Sequence, residues 1–341
     1  MKTSTIRTLA VMALFVTSIG NLFAGKTVIV NGIHYDENNA KVVGAEQVEG
    51  TLSIPERVVI NGEEMTVTEI ADEAFMKRKD IRQVEFPKTL KSIGEYAFAR
   101  CYNLESVTLP DSLESLGVMV FQSCSRLESL SFGDKLRTIP ASCCENCVNL
   151  KDIHFPKSLV RIERMAFLFC ESLTELTLPD KLEEVKGSAF AECARLEKVV
   201  FPTNLKVIYQ GAFGGCVNLT SIVFNNVIPP YMASDFEEGY YPTKTDYSLF
   251  DDFWQEDPKV TYDLNHTCTV YVPEGSELNY ENSTGWNKID NVASAIKTVQ
   301  QNKDASTVVA IYDLQGKKTD RLQKGVNVVH YTNGKTKKIS L

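Results

Sequence analysis

The chain carries 341 residues, 43% of them apolar and 23% charged, with nine cysteines and a formal net charge of -8 at neutral pH. That length is enough for one or two domains with a full core. The acidic balance excludes nucleic acid and an anionic membrane as the main partner, because both repel a negative surface.

The amino-terminal stretch sets the compartment. Lys2 and Arg7 precede an apolar run from Leu9 to Ile19, and small residues follow at Ser18, Gly20 and Ala24. Basic, apolar, then cleavable is the order of a secretory signal peptide, here residues 1–24. The apolar run is shorter than the roughly 20 residues that a bilayer span needs. No cysteine sits beside the expected cut, which argues against a lipid anchor, and no later segment is apolar enough to span. The expected product is exported and is not inserted in a membrane. Losing residues 1–24 removes two basic side chains and no acidic one, so the mature chain is more acidic still.

Residues 25–66 contain Asn31-Gly32 and Asn61-Gly62 beside the β-rich runs "TVIV" and "RVVI". Asn-Gly is the strongest two-residue hairpin signal, so this region is expected to be a hairpin cap.

A 23-residue period then takes over. Cys101, Cys124, Cys147, Cys170, Cys193 and Cys216 keep that spacing without one insertion. Leu90, Leu113, Leu136, Leu159, Leu182 and Leu205 form a second column. Phe75, Phe98, Phe121, Phe167, Phe190 and Phe213 form a third, interrupted at Cys144. Ile70, Ile93, Leu116, Ile139, Ile162, Val185 and Ile208 form a fourth. A period of 20 to 29 with this leucine spacing is the signature of a leucine-rich-repeat solenoid. One coil cannot bury its apolar columns alone, whereas stacked coils bury them against each other. In "ESVTLP" the alternation turns Val107 and Leu109 inward and Ser106 and Thr108 outward. Pro110 then ends the strand, since it has no N–H to donate. The expected fold is a mostly-β solenoid of the α/β repeat class. About seven coils over residues 67–224 carry a parallel sheet on one face, on the order of 30 Å long at roughly 4.8 Å per strand. The "AF" segment opposite is expected to be an irregular turn.

After Phe224 the register dissolves, and residues 225–292 read as an irregular far cap with an acidic, aromatic insertion. Phe236, Phe250, Phe253 and Trp254 suit sealing of the core, while Tyr240 and Tyr241 in "EEGYYP" suit an exposed contact tip. Residues 293–306 form a polar linker. Residues 307–341, with Asn333-Gly334, form a small β module with little core of its own.

These columns resemble the BspA-like leucine-rich repeats of bacterial surface proteins, best known from the Bacteroidetes. The resemblance covers residues 27–292, through "IPERVVINGEEMTVTEIADEAF", the repeated "AF-x-x-C-x-x-L" and "VYVPEGSELNYENSTGW". The last segment is similar to the sorting modules of type IX secretion at Ile311, Tyr312, Asp313, Leu314 and Gly316, then Lys324 and Gly325. Asn327 stands where that family usually has an aromatic residue. The resemblance implies an adhesion or binding protein at the outer cell surface or outside the cell, with the periplasm as the alternative location. It implies a protein partner, a host matrix or bacterial surface protein, ahead of a glycan. A glycan-binding accessory and a structural envelope component are the other readings.

Catalytic chemistry finds no footing. His34, His154, His266 and His330 are scattered, with no second ligand type one helical turn away and no nucleophile elbow or phosphate loop. "CCENC" has redox-like spacing at Cys144 and Cys147, but the rows make Cys147 a column member and Cys144 a substitute for the column phenylalanine. Core packing is therefore expected there, against a local disulfide or a redox or metal site. Asp251 and Asp252 lack the spacing of a calcium loop. No enzyme, cofactor or metal is expected.

The outward strand positions are the better candidates. Ser129, Ser131, Asp152, His154, Glu175, Thr177, Lys198, Val200 and Val223 would line the sheet face, with Tyr240 and Tyr241 at the far tip. Any sheet facing water needs polar side chains, so polarity alone shows nothing. Val200 and Val223 are apolar at such positions, which marks either an interaction site or a surface that the far cap covers. Oligomeric state is not legible. If residues 307–341 sort the protein, deleting them should trap it in the periplasm; fractionation with unchanged surface display or release would remove that role.

Overall fold

A computed structural model describes residues 26–233, 268–283, 286 and 292–295; for residues 294–295 and the strands between 308 and 340 only the backbone is described. The expected signal peptide lies outside these residues, as do Tyr240 and Tyr241. The chain is a mostly-β solenoid, and its coils coincide with the 23-residue rows.

The longer strands form a parallel ladder in two five-stranded stretches. Gly50–Ser53 pairs with Ile81–Glu85, which leads through Ser106–Thr108 and Ser129–Ser131 to Asp152–His154. Glu175–Thr177, Lys198–Phe201, Ser221–Phe224, Thr269–Pro273 and Val292–Ala295 continue it as a second five-stranded stretch. The caps therefore prolong this ladder at both ends. Thr269–Pro273 brings regular structure to the far cap, and Val292–Ala295 draws the start of the polar stretch into the sheet.

The fourth column, from Ile70 to Ile208, forms a second parallel ladder in addition to the expected sheet. Its strands are only two or three residues each, from Glu69–Ile70 through Ser92–Ile93 and Ser115–Leu116 to Val207–Tyr209 and Tyr231–Ala233. Strands this short show no alternation, so nothing in the sequence pattern announces them. This ladder is broken between Ser115–Leu116 and Thr138–Ile139, while the long ladder is broken between Asp152–His154 and Glu175–Thr177.

The "AF" arcs are turns, as expected, and they too bond from coil to coil. The amides of Glu73, Phe75 and Lys77 donate to the carbonyls of Glu95, Ala97 and Ala99 at 2.8 Å each. Presenting alternate amides to the next coil requires left-handed residues at two positions four apart. Those positions are Glu73 and Lys77, Tyr96 and Arg100, and so on at every 23rd residue as far as Gly211 and Gly215. Only the last coil uses glycine at both. The other arcs hold a left-handed backbone against its steric cost of about 1 kcal/mol per residue.

The core is built of stacked columns. Phe75, Phe98 and Phe121 stack at 5.1 and 5.8 Å between ring centroids, and Phe167, Phe190 and Phe213 at 5.1 and 5.5 Å. Cys144 fills the gap between the two stacks, fully buried and 3.8 Å from the Cys143 sulfur. All nine cysteines are free and buried.

The cysteine column has a specific bonding role. The thiol of Cys124 donates to the carbonyl of Phe98, 26 residues earlier, at 3.2 Å. Cys101, Cys147, Cys193 and Cys216 reach Phe75, Phe121, Phe167 and Phe190 in the same way, and Cys170 reaches the carbonyl of Cys144, all at 3.1–3.4 Å. The Phe98 carbonyl also accepts the amide of Cys101 in its own coil at 3.2 Å. A small apolar side chain with one weak donor suits a dry position that faces a carbonyl.

Both ends are closed by specific contacts. The Asn-Gly hairpins form as expected, Thr27–Val30 with Ile33–Asp36 and Arg57–Ile60 with Glu63–Thr66. Asn31, Gly32, Asn61 and Gly62 all have positive φ, as a type I′ turn requires. Arg78 of the first coil donates to the carbonyls of Ala45 and Glu46 at 2.7 Å, while its partner Asp80 accepts from Arg78 and from the Val48 amide. At the far end the Trp286 ring meets Phe224 edge-on at 4.8 Å, and its indole N–H donates to the Pro230 carbonyl at 2.8 Å. Tyr280, on the short helix Glu277–Glu281, donates its hydroxyl to Asn226. Among the described residues, then, Tyr280 and Trp286 seal this end; Phe236, Phe250, Phe253 and Trp254 lie outside them. Residues beyond 307 include an antiparallel sheet in the order Lys318–Thr319, Val308–Tyr312, Val326–Tyr331, Thr336–Ser340.

Burial pushes the Cys101 thiol up to about 12 and raises Cys124, Cys170, Cys193 and Cys216 as well. Native protein at neutral pH should therefore resist alkylation at these positions and react only after unfolding, as mass spectrometry would read. Cys124→Ala should cost about 1–2 kcal/mol in chemical denaturation, through lost volume and a lost inter-coil bond.

The Arg78 hydrogen bond holds the Asp80 carboxyl down at about 2, against an ordinary 3.8. A depressed carboxylate stabilises the fold above its unfolded value and loses that contribution as pH falls through its folded value. Burial lowers His34 below 6.5, so its protonation works in the same direction at milder acidity. Thermal melts should show stability falling between about pH 4 and pH 2 in the wild type, with a flatter profile in Asp80→Asn.

Candidate binding face

The long ladder sets two columns of outward side chains in register. The first runs Gln83, Ser106, Ser129 and Asp152, and after the break Glu175, Lys198, Ser221 and Thr269. The second runs Thr108, Ser131 and His154, then Thr177, Val200, Val223, Tyr271 and Ala293. All nine strand residues singled out in the sequence therefore share this face. The break divides them, with Ser129, Ser131, Asp152 and His154 on one stretch and the other five on the next.

The first stretch is small and polar. Ser129 and Ser131 are half-buried by their neighbours, while Asp152 and His154 are exposed. The His154 Nδ1 lies 3.7 Å from Asp152, but both side chains are about two-thirds exposed (68% and 64%), so solvent screens the pair. The second stretch pairs opposite charges in register at Glu175 and Lys198. Beyond them the face turns apolar.

Val200 and Val223 are half-buried. The far cap flanks them: its strand Thr269–Pro273 lies in the same sheet and places Tyr271 beside Val223. Val292–Ala295 then places Ala293 beside Tyr271. The result is a continuous strip, Val200, Val223, Tyr271 and Ala293, across four adjacent strands. Tyr271 escaped sequence reasoning because Ser221 pairs with Thr269, a separation of 48 residues where the paired steps from Gln83 to Ser221 are all 23. The run "CTVYVP" does not say which strand it stands next to.

A second apolar surface also went unread. Val227, Ile228 and Tyr231 are 60%, 75% and 70% exposed, and Leu278 of the short helix is 68% exposed. The Asn279 side chain donates to the Val227 carbonyl at 3.0 Å, which joins helix and loop into one corner of the cap. These residues fall outside the 23-residue columns and carried no periodic signal.

Among the described residues, no three His, Cys, Asp or Glu groups gather as a metal would require. No helix among them is long and apolar enough to cross a membrane. The arrangement offers contact surface: hydroxyls and charges at one end, apolar area at the other.

A family model described as BspA type leucine rich repeat region matches six copies, over residues 57–170 and 137–238. A leucine-rich repeat protein from Eubacterium ventriosum ATCC 27560 is 24% identical with a TM-score of 0.51, over 55% of this chain and 49% of that one. A leucine rich cell surface protein from Faecalibacterium prausnitzii A2-165 is 19% identical with a TM-score of 0.43, over 62% and 73%. The leucine rich repeat protein of T. pallidum is 26% identical with a TM-score of 0.39, over 57% and 76%. The likeness to the Eubacterium protein is one of fold. No curated protein matches the chain.

Proposed function

The chain belongs to the BspA-type leucine-rich-repeat proteins, and on that footing we propose that it is an exported adhesion or binding protein that recognises a protein partner through its long-strand face. The family supports a protein-interaction or adhesion role in general terms. The observation that carries the specific reading is the strip Val200, Val223 and Tyr271, set beside Glu175, Thr177 and Lys198. An apolar centre with a polar rim is the usual anatomy of a recognition surface.

Magnitudes limit what this face does alone. Ten strands at about 4.8 Å give a length of about 43 Å, and a usable width near 10 Å gives on the order of 400 Å². A stable interface covers about 800 Å² per partner. The partner must therefore also touch the flanking arcs or the cap corner at Ile228 and Leu278, or bind with modest affinity. Export rests on the leader at residues 1–24, and sorting to the surface on residues 307–341. The partner is a host matrix protein or a bacterial surface protein. Tyr240 and Tyr241 remain the contact candidates at the tip.

The test is solid-phase binding of the full chain to a panel of matrix proteins beside a glycan array. A matrix protein should be retained, and Val223→Arg should weaken it at least tenfold without changing the melting temperature by more than a few degrees. Retention by glycans alone would replace a protein partner with a sugar. Undiminished binding by Val223→Arg would move the site off this face.

A further inference from the structure

The short ladder opens at one place, and the cause is a single residue. In the neighbouring coils Gly94 donates to Ile70, Gly117 to Ile93, Glu163 to Ile139 and Lys186 to Ile162, all at 2.8–3.0 Å. Pro140 occupies the equivalent position and has no N–H to give, so the rung to Leu116 cannot form. The rung before it is missing as well. Lys91 accepts from Glu114 and Ser115, and Arg137 accepts from Val160 and Arg161, but no backbone bond joins Arg137 or Thr138 to Glu114.

The coils stay joined on both sides of this opening. Asp111 accepts from the Asp134 amide before it, and Met119 donates to the Ala141 carbonyl after it. What remains between is an open cleft of about 410 Å³. Its floor is apolar: Leu116 is half-buried here, whereas Ile93 and Ile139 in the same column are 2% and 0% exposed. Glu114, Lys135 and Arg137 stand at the rim with the hydroxyls of Ser115 and Thr138. Lys135 makes a loose pair with Glu114 at 3.9 Å, while the Arg137 side chain makes no hydrogen bond or ion pair among the described residues.

We propose that this cleft is a binding site for a short extended acidic segment of a protein. The carbonyls of Glu114 and Leu116 lie two residues apart along a strand, a spacing of about 6.8 Å, and in every intact rung they face the next coil. Alternate amides of an extended peptide have the same spacing and supply the donors that Pro140 withholds. The amides of Arg137 and Thr138 are free to donate to a peptide carbonyl. A carboxylate on that peptide meets the Arg137 guanidinium, which is built for forked pairing, with Lys135 beside it. The apolar floor takes the stem of the same side chain. The mode is strand pairing at the opened rungs between two coils, with backbone bonds for affinity and one charge for selection. The site sits on the short ladder, so it works independently of the long-strand face.

The test is a ligand-observed titration of the full chain with the capped peptide Thr-Glu-Thr-Glu-Thr-Glu. Saturable binding is expected, at least fivefold weaker for Thr-Gln-Thr-Gln-Thr-Gln. Arg137→Gln, an exposed substitution that leaves the core intact, should also weaken it at least fivefold. Pro140→Ala restores the missing donor and should weaken it similarly by competing for the Leu116 carbonyl. No saturable binding of the acidic peptide, equal binding of the neutral one, or indifference to either substitution would overturn the proposal. So would tighter binding of digalacturonate, which would assign the cleft to acidic glycans.

Discussion

In this solenoid the backbone of each coil must find its partners in the next coil, one fixed step away. Almost no helix is present among the described residues, and the bonds within a coil are short turns such as the Cys101 amide to Phe98 and the Leu104 amide to Cys101, so a coil out of register would leave its remaining polar groups dry and unpaired. Three lines of bonds meet that demand, along the long strands, the short strands and the arcs. The thiol column adds a fourth, reaching 26 residues back because the carbonyl it serves lies three residues before the cysteine of the previous coil. Side chains on the rim follow the same rule: Asn103, Asn149 and Asn204 each donate to a carbonyl 24 residues earlier. Spacing is therefore constant through the array, and longer steps occur toward the caps, where Val207 pairs with Tyr231 after 24 residues and Ser221 with Thr269 after 48.

The ends and the two breaks follow from the same demand. An exposed final coil would present unpaired edges and a bare apolar stack, so each cap prolongs a ladder before it stops it. Arg78 and Asp80 tie the amino-terminal hairpins to the first coil by hydrogen bonds, while Trp286 and Tyr280 close the far end mostly by ring contact. Where a rung fails, the molecule gains surface chemistry that a perfect repeat would lack. Pro140 interrupts the short ladder beside an open cleft, and the discontinuity after His154 divides the long face into a polar and a mixed half.

Much of this was legible in the residues, for a physical reason in each case. Alternation in "ESVTLP" separates inside from outside, and Asn-Gly dictates its own turn, so the long strands and the hairpins could be placed without coordinates. The face residues from Ser129 to Val223 followed from the same alternation. The short ladder did not, because two-residue strands leave no pattern. The role of the thiols did not, because a carbonyl 26 residues away belongs to no column. Tyr271 was hidden by the insertion, which changes the step between strands. Pro140 was visible all along, yet its effect depends on knowing that its position is a donor in every other coil.

The left-handed arc positions carry a consequence for how the chain assembles. Twelve of them are occupied by residues with a side chain, from Glu73 to Glu192, and only Gly211 and Gly215 take that shape freely. An isolated arc of the first kind has no neighbour to repay its steric cost, so it does not persist alone. The coil holding the two glycines lies nearest the Phe224, Tyr280 and Trp286 cluster, which gives it both the lowest local cost and early apolar contacts. Assembly is therefore cheapest when it starts near the carboxy-terminal end of the array and adds coils backwards, each templated on the one before.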